Sequence, residues 1–267
     1  MKITCLGAKM EKLGLVIEPK TEIFIENFIK KFSYKLKKEF LEIDTYFQPI
    51  FCSKTFKVLG YEAFSKPRTN KSILQLIKES VDRGFISEFD LYCRLMAIYK
   101  AYKVGFPKDT LLFLNIHPKV LERKNYPKGL TFQFLSLLGL SSENIVFEIT
   151  EFEQPMNIEG YIKTVFHFKE QGYKISIDDY GSGCISSRFL LEISPNFLKI
   201  DKFFVQRLPE DNFSIKFITQ TLELCKDLEV KVIAEGIENK KQLLSLKNLK
   251  VDYLQGYYLG KPKPSFV

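Results

Sequence analysis

The sequence predicts an α/β fold, in which strands and helices alternate to form one large barrel. Three observations support this prediction. Short runs rich in β-branched and aromatic residues alternate with longer amphipathic stretches from about residue 111 onward. A hairpin and two helical stretches precede them. A chain of 267 residues that is 45% hydrophobic is also long enough to bury one large core.

Residues 1–40 lie outside this alternation and predict a helical extension or linker. Five apolar residues in this segment share one helical face: Phe24, Ile25, Phe28, Ile29 and Phe32. We expect this helix to pack on the barrel or on a second subunit. The barrel itself is expected to occupy residues 41–267.

The barrel is predicted to begin with a hairpin. Residues 45–51 and 58–64 have strand-like composition, and only the short polar stretch 52–57 separates them. Two helices are predicted next, over residues 71–83 and 87–103, where apolar residues recur with helical spacing.

Six further strands are predicted from short apolar runs. These runs are residues 111–116, 144–150, 173–178, 196–201, 230–235 and 251–255. Stretches with 3.6-residue periodicity lie between them, for example residues 158–171 and 215–228. We expect these stretches to form the outer helices of the barrel.

Composition argues against several classes of protein. No apolar run approaches the roughly 20 residues that span a bilayer, and lysines interrupt the N-terminal stretch, so a cytoplasmic protein without a membrane span is expected. Five cysteines without a CxxC pair and two histidines without metal-ligand spacing argue against zinc and disulfides. The formal charge of +8 favours an anionic ligand, but no stripe of basic and aromatic residues indicates a nucleic acid polymer.

Polar and charged side chains recur where the predicted strands end. They are Glu62, Asn115, Glu148, Glu151, Asp178, Asp179, Lys199, Asp201, Glu235, Glu238 and Gln255. In a βα barrel these ends meet at one mouth, and so many carboxylates stay ionised there only beside bound cations. Oxygen ligands suit Mg²⁺ or Mn²⁺, and adjacent aspartates are typical of a paired-metal site that activates water for attack on phosphorus. Taken singly, each residue is also compatible with a helix cap or a solvated charge.

Seven short motifs follow one another in the order and spacing of a known family. They are FQPIF with YEAF (47–51 and 61–64), LNIHP (114–118), FEITE (147–151), IDDYGSG (177–183), LKID (198–201), IAEGIE (233–238) and QGYYLGKP (255–262). Through these motifs the chain resembles the EAL-domain family of cyclic di-GMP phosphodiesterases. The resemblance implies a (β/α)8 TIM-like barrel with an antiparallel first strand, which hydrolyses one phosphodiester bond of cyclic di-GMP and releases linear pGpG.

The resemblance also assigns metal ligands. The expected ligands are Glu62, Asn115, Glu148, Asp178, Asp179 and Glu235. The first four are expected to hold one Mg²⁺ or Mn²⁺ ion, and the last three, which include the shared Asp178, a second. Glu62, Lys199 and Glu235 are the expected catalytic residues. Glu235 would orient or deprotonate a water molecule, and Lys199 would hold that water or the phosphate.

Further residues are expected around the metals from the same resemblance. Gln48, Lys66, Asp201, Gln255 and Pro262 are the expected substrate-binding residues, and Glu151, Glu238, Gly181 and Gly183 are the expected supporting residues. The two glycines are expected to permit a tight turn that swings Asp178 and Asp179 inward. Glu151 is equally compatible with a charge at the start of a helix.

The chain departs from the family pattern at two places. Phe64 and Lys66 stand where the family usually has leucine and arginine. Lysine keeps the charge but loses the two-pronged hydrogen bonding of arginine, which predicts weaker substrate binding. Cys184 and Ile185 follow the glycine-rich turn, where the family commonly has tyrosine and serine. This loop couples metal binding to dimerisation in the family, so its altered sequence bears on regulation and on the second metal more than on the first. A homodimer through the late loops and helices of the barrel is what the resemblance implies.

A second function is also compatible with the sequence. The chain could be a receptor that binds cyclic di-GMP without cleaving it and signals through a protein partner. Glu62, Lys199 and Glu235 are all retained, and a receptor would not need them. The sequence therefore favours the enzyme.

Overall fold

A computed structural model describes residues 19–121, 129–150, 158–183 and 187–266. Eight strands close into one barrel in chain order, so the predicted barrel is confirmed. The strands are β1 (Ile43–Cys52), β2 (Val58–Pro67), β3 (Leu111–Ile116), β4 (Ile145–Thr150), β5 (Lys174–Tyr180), β6 (Phe197–Ile200), β7 (Lys231–Ala234) and β8 (Tyr253–Leu254). Within the described residues, no helix is long and apolar enough to cross a membrane.

The first strand is antiparallel to both of its neighbours, as the resemblance implies. β1 pairs antiparallel with β2 and β8, whereas every pair from β2–β3 to β7–β8 is parallel. The β1–β2 ladder runs from the Ile43–Pro67 pair to the Phe51–Val58 pair, so both strands are longer than predicted. Glu62 therefore lies in the middle of β2 rather than at its end. Because β2 pairs with β3 only as far as Glu62, the β1–β2 hairpin extends beyond that pairing as a two-stranded arm.

Helices surround the barrel between the strands. Those that the structure describes are α1 (Pro19–Ser33), α2 (Lys38–Leu41), α3 (Ile73–Asp82), α4 (Ile86–Lys103), α5 (Pro118–Leu121), α6 (Leu130–Leu137), α7 (Ile158–Glu170), α8 (Ser187–Ile193), α9 (Lys202–Val205), α10 (Asn212–Asp227) and α11 (Lys240–Asn248). Capping residues determine where several of these helices begin. Ser72 with Gln75 and Asn239 with Gln242 form capping boxes before α3 and α11, which satisfies backbone N–H groups at each helix start.

The N-terminal helix α1 packs on the barrel's helix α4. Ile25 is fully buried and Ile29 nearly so, and the Phe28 ring lies 5.4 Å from that of Phe134. The predicted apolar face therefore covers α4 and α6. Residues 1–18 and the side chains of Phe24 and Phe32 lie outside the part of the chain that the structure describes. The division into an extension and a barrel at residue 40 stays a prediction.

The barrel interior contains an apolar layer with a polar layer above it. The apolar layer consists of Ile50, Phe113, Val146, Phe197 and Ile233, all buried. Strand side chains alternate, so residues two positions away point into the same interior. Those residues are Gln48, Asn115, Glu148, Lys199 and Glu235. In β1 the polar residue precedes the apolar one in the sequence, because that strand runs antiparallel to the others. The apolar layer therefore closes the barrel below the polar residues and keeps water from reaching them through it.

Candidate active site

The ammonium group of Lys199 lies among four carboxylates at the mouth of the barrel. Its Nζ atom is 2.9 Å from Glu62, 2.7 Å from Glu148, 3.1 Å from Asp178 and 2.6 Å from Glu235. Lys199 and Glu148 are fully buried, and Glu62 and Asp178 are 4% and 7% exposed. These predicted site residues thus come together from different elements, namely strands β2, β4, β5 and β6 and the residue that follows β7.

Three amide side chains complete the polar layer. Asn115 Nδ2 donates to Glu62 at 3.4 Å and to Glu148 at 3.3 Å. Gln255 Nε2 donates to Glu62 Oε2 at 2.7 Å and to Gln48 Oε1 at 3.2 Å. Gln48 Nε2 in turn donates to the Gly260 carbonyl at 2.9 Å. Gln255 therefore holds the Glu62 carboxylate in place, and Gln48 in turn holds Gln255. Substrate binding by both residues stays a prediction.

The donor set fits the hard divalent cations that the resemblance implies. Carboxylate oxygens of Asp178, Asp179 and Glu235 lie within 4.8 Å of one another. Glu148 Oε1 and Asp178 Oδ1 are buried and accept no well-angled hydrogen bond from any residue that the structure describes, although both are close to Lys199 Nζ. Four carboxylates around one ammonium leave negative charge that a divalent cation would balance.

The pKa values of the cluster reflect this shortage of positive charge. Burial raises the pKa of Glu148 and of Glu235 well above the ordinary value, although the Lys199 ammonium opposes it. Burial alone would lower the pKa of Lys199, but the surrounding carboxylates raise it well above its usual range. Burial and the charge of Asp178 raise the pKa of Asp179 to about 7. Additional cations would therefore favour the ionised forms of Glu148, Asp179 and Glu235.

The turn after Asp178 uses left-handed backbone conformations. Asp179 has φ +54° and Gly181 has φ +97°. A Cβ atom on Gly181 would lie 2.5 Å from the Phe204 ring and 2.6 Å from the Phe217 ring, so space as well as φ requires glycine there. Gly183 immediately precedes residues 184–186, which are outside the described ranges together with Glu151. Predictions for Gly183, Glu151 and the Cys184-Ile185 departure stay predictions.

A cavity of about 1030 Å³ opens above the polar layer. The exposed Lys66 and the half-buried Pro262 line it, as do Asp178, Asp179 and Glu235. Tyr46 also lines the cavity, and Lys66 Nζ lies 4.4 Å from the centroid of the Tyr46 ring.

Two other predicted residues make contacts within the protein. Asp201 is 8% exposed and caps α9, where its Oδ1 atom accepts from the Phe203 N–H at 2.6 Å. Exposed Glu238 lies at the rim of the cavity and accepts from Gln206 Nε2 at 2.9 Å. Substrate binding by Asp201 and support of the metal ligands by Glu238 stay predictions.

Sequence reasoning missed several residues of the cavity wall. Tyr46, Lys202, Tyr257 and Lys261 line the cavity. A period-2 signal could have identified Tyr46, because it lies two positions before Gln48 on the same face of β1. Lys202 directly follows the LKID motif. Tyr257 and Lys261 lie inside the QGYYLGKP motif, but loop geometry rather than strand alternation directs their side chains.

The chain is similar to proteins of one known family. The model of the EAL domain family matches residues 32–262. Cyclic di-GMP phosphodiesterase PdeF of Escherichia coli K12 is 28% identical over 151 residues, which are 57% of this chain and 20% of PdeF. Probable cyclic di-GMP phosphodiesterase PdeI of the same organism is 29% identical over 233 residues, 84% of this chain and 29% of PdeI. The chain thus spans less than a third of these relatives.

A solved structure of similar size matches over most of its length. It is the cyclic di-GMP-bound form of a standalone versatile EAL protein from Vibrio cholerae O395, with a TM-score of 0.77 and 29% identity. The match covers 84% of this chain and 93% of that protein.

Proposed function

The chain belongs to the EAL domain family, and on that premise we propose that it hydrolyses cyclic di-GMP to linear pGpG with divalent metal ions. The observation that carries this proposal is the cluster of four carboxylates around Lys199 at the mouth of the barrel. Relatives named cyclic di-GMP phosphodiesterases and the cyclic di-GMP-bound Vibrio cholerae protein support the choice of substrate.

Two Mg²⁺ or Mn²⁺ ions are part of the proposal. Glu62, Asn115, Glu148 and Asp178 would hold one of them, and Asp178, Asp179 and Glu235 would hold the other. Bound divalent cations lower the pKa of water and offset the negative charge of a phosphodiester. The buried oxygens of Glu148 and Asp178 without well-angled donors support this assignment.

Glu235 is the proposed proton acceptor. Its side chain is 16% exposed and lines the cavity, so it reaches both solvent and the polar layer. One of its carboxylate oxygens accepts a proton from the attacking water as the new P–O bond forms and the P–O3′ bond breaks. The leaving O3′ atom then takes up a proton from solvent water in the cavity and becomes a hydroxyl group. Burial raises the pKa of Glu235, and the Lys199 ammonium opposes that rise.

Lys199 is proposed to supply positive charge near the reacting phosphate, and Glu62 to be held in one position beside it. The Lys199 ammonium is fully buried and donates to Glu62 at 2.9 Å, so it has one location. From there its positive charge can help to stabilise the negative charge that develops on the phosphate during attack. Gln255 fixes the other side of Glu62 at 2.7 Å. At the rim, the exposed Lys66 is proposed to bind a phosphate of the same substrate.

Chromatography of reaction products tests this proposal. The chain is incubated with cyclic di-GMP and Mn²⁺ or Mg²⁺, beside Glu235→Gln, which keeps the shape of the side chain. We expect pGpG from the wild type, no product in EDTA, and a large loss of product with Glu235→Gln. Tight binding of cyclic di-GMP without product would instead make the protein a receptor, and absence of both would exclude both functions.

We further propose a cytoplasmic homodimer, on the strength of the family resemblance. Sedimentation equilibrium tests the oligomeric part, with an expected mass of twice the 31.2 kDa chain. A single-chain mass at micromolar concentration would contradict it.

A further inference from the structure

One lysine at the rim of the cavity rests on an aromatic ring. The Nζ atom of Lys66 lies 4.4 Å from the centroid of the Tyr46 ring, well inside the roughly 6 Å range of a cation–π contact. Both side chains line the cavity above the polar layer. Tyr46 is half-buried and Lys66 is exposed. The ring therefore holds an ammonium group that faces the proposed substrate.

The hairpin arm explains why Lys66 is available to a ligand. Asp44 lies directly opposite Lys66 in the β1–β2 ladder and would be its natural partner. The Asp44 carboxylate is instead bound by Arg68, at 2.9 Å, and by Lys100. Among the described residues Lys66 has no carboxylate within ion-pair distance. Two cations thus occupy the Asp44 carboxylate, and the Lys66 ammonium lies on the Tyr46 ring instead.

The position of Tyr46 connects this contact to the active site. Tyr46 lies two residues before Gln48 on the same face of β1, and Gln48 is bonded through Gln255 to Glu62. The ring is therefore placed by a strand rather than a loop. Lys100 approaches the same ring at 5.4 Å but is tied to Asp44.

We propose that Tyr46 is a positioning residue that holds the Lys66 ammonium on the cavity wall, where it binds a phosphate of the substrate. This inference rests on the proposed function. A lysine stem is flexible and loses rotamer entropy when its ammonium is fixed on a ligand. The ring restricts that stem before substrate arrives. Tyr46 thereby offsets part of what the chain loses by having lysine rather than the two-pronged arginine at this position.

Steady-state kinetics with cyclic di-GMP tests the inference in a double-mutant cycle. The variants are Tyr46→Leu, Tyr46→Phe, Lys66→Ala and Tyr46→Leu with Lys66→Ala. We expect Tyr46→Leu to raise KM about two- to five-fold with kcat unchanged, because an exposed cation–π contact has that strength. Tyr46→Phe keeps the ring and restores the wild-type KM. In the Lys66→Ala background, Tyr46→Leu has no further effect.

Three outcomes would overturn the inference: an unchanged KM in Tyr46→Leu, a lower kcat, or the same rise in KM whether or not Lys66 is present. The last two would show that Tyr46 acts on packing rather than through Lys66. Melting temperatures of all four variants, compared with the wild type, identify any loss of folded protein.

A binding experiment separates this inference from the proposed function. Calorimetric titration of the same variants with cyclic di-GMP in EDTA requires no turnover. A wild type that binds cyclic di-GMP in EDTA but forms no product when Mn²⁺ or Mg²⁺ is supplied would refute the hydrolysis, and a two- to five-fold weaker Kd in Tyr46→Leu would still support the positioning role. Normal turnover with equal Kd in wild type and Tyr46→Leu would refute the positioning role alone. Absence of both turnover and binding would overturn both.

Discussion

Replacement of Lys199 by methionine tests the electrostatics of the polar layer directly. Lys199 is fully buried, and four carboxylates lie within 3.1 Å of its ammonium. Methionine has similar volume but no charge, so the carboxylates would remain buried without their cation. Removing one partner of a buried ion pair costs about 3–5 kcal/mol. In EDTA, which removes divalent ions, we expect the free energy of unfolding of Lys199→Met to be lower than that of the wild type by about that amount.

Chemical denaturation in EDTA measures this loss, with Lys231→Met as the control. The Lys231 side chain is 57% exposed and lies 3.5 Å from Asp252, so its pair should contribute at most about 1 kcal/mol. Mn²⁺ at 100 times its Kd should stabilise a binding protein by about 2.7 kcal/mol, and we expect Lys199→Met to regain stability in this way. A loss below about 1 kcal/mol in EDTA, equal to that of the control, would refute the reasoning.

Three further predictions follow from other parts of the structure. Glu235→Gln should lower kcat about 10²- to 10⁴-fold while calorimetry shows cyclic di-GMP binding retained, and a wild-type kcat would refute its role as proton acceptor. Gly181→Ala should cost about 1–3 kcal/mol more than Gly84→Ala in denaturant unfolding, because both glycines have positive φ but only Gly181 lacks space for a Cβ atom; equal losses would contradict this. Burial raises the pKa of Asp44, but its Lys100 and Arg68 partners outweigh burial and lower that pKa from 3.8 to about 2. Solvent screening reduces the contribution of this ion pair to stability to roughly 1–2 kcal/mol. That contribution is present above about pH 4 and lost as pH falls toward 2, so Asp44→Asn should flatten that part of the stability profile measured by urea unfolding. An unchanged profile would contradict it.

The barrel was predictable because its strands leave a strong local signal. Runs such as residues 111–116 and 173–178 are apolar and β-rich, and the structure places β3 and β5 there. The same alternation placed Asn115 and Asp178 at the mouth. The length of β2 was less predictable, because pairing with β1 extends it to Pro67, beyond its apolar run.

Long-range electrostatics could not be inferred from the sequence. The central position of Lys199 depends on four carboxylates from different strands, so no local pattern encodes it. The ring contact between Tyr46 and Lys66 likewise depends on Asp44 being occupied by other cations. Which of several charged groups pair with one another is determined only by the tertiary structure, after the strands have paired.

The most direct test of the proposed mechanism is hydrolysis of cyclic di-GMP in ¹⁸O-labelled water with Mn²⁺. We expect pGpG whose 5′-phosphate carries one ¹⁸O atom, formed by the wild type and greatly reduced in Glu235→Gln. That result would show that water attacks phosphorus and that this carboxylate takes part. Absence of pGpG, or pGpG without the label, would contradict the account.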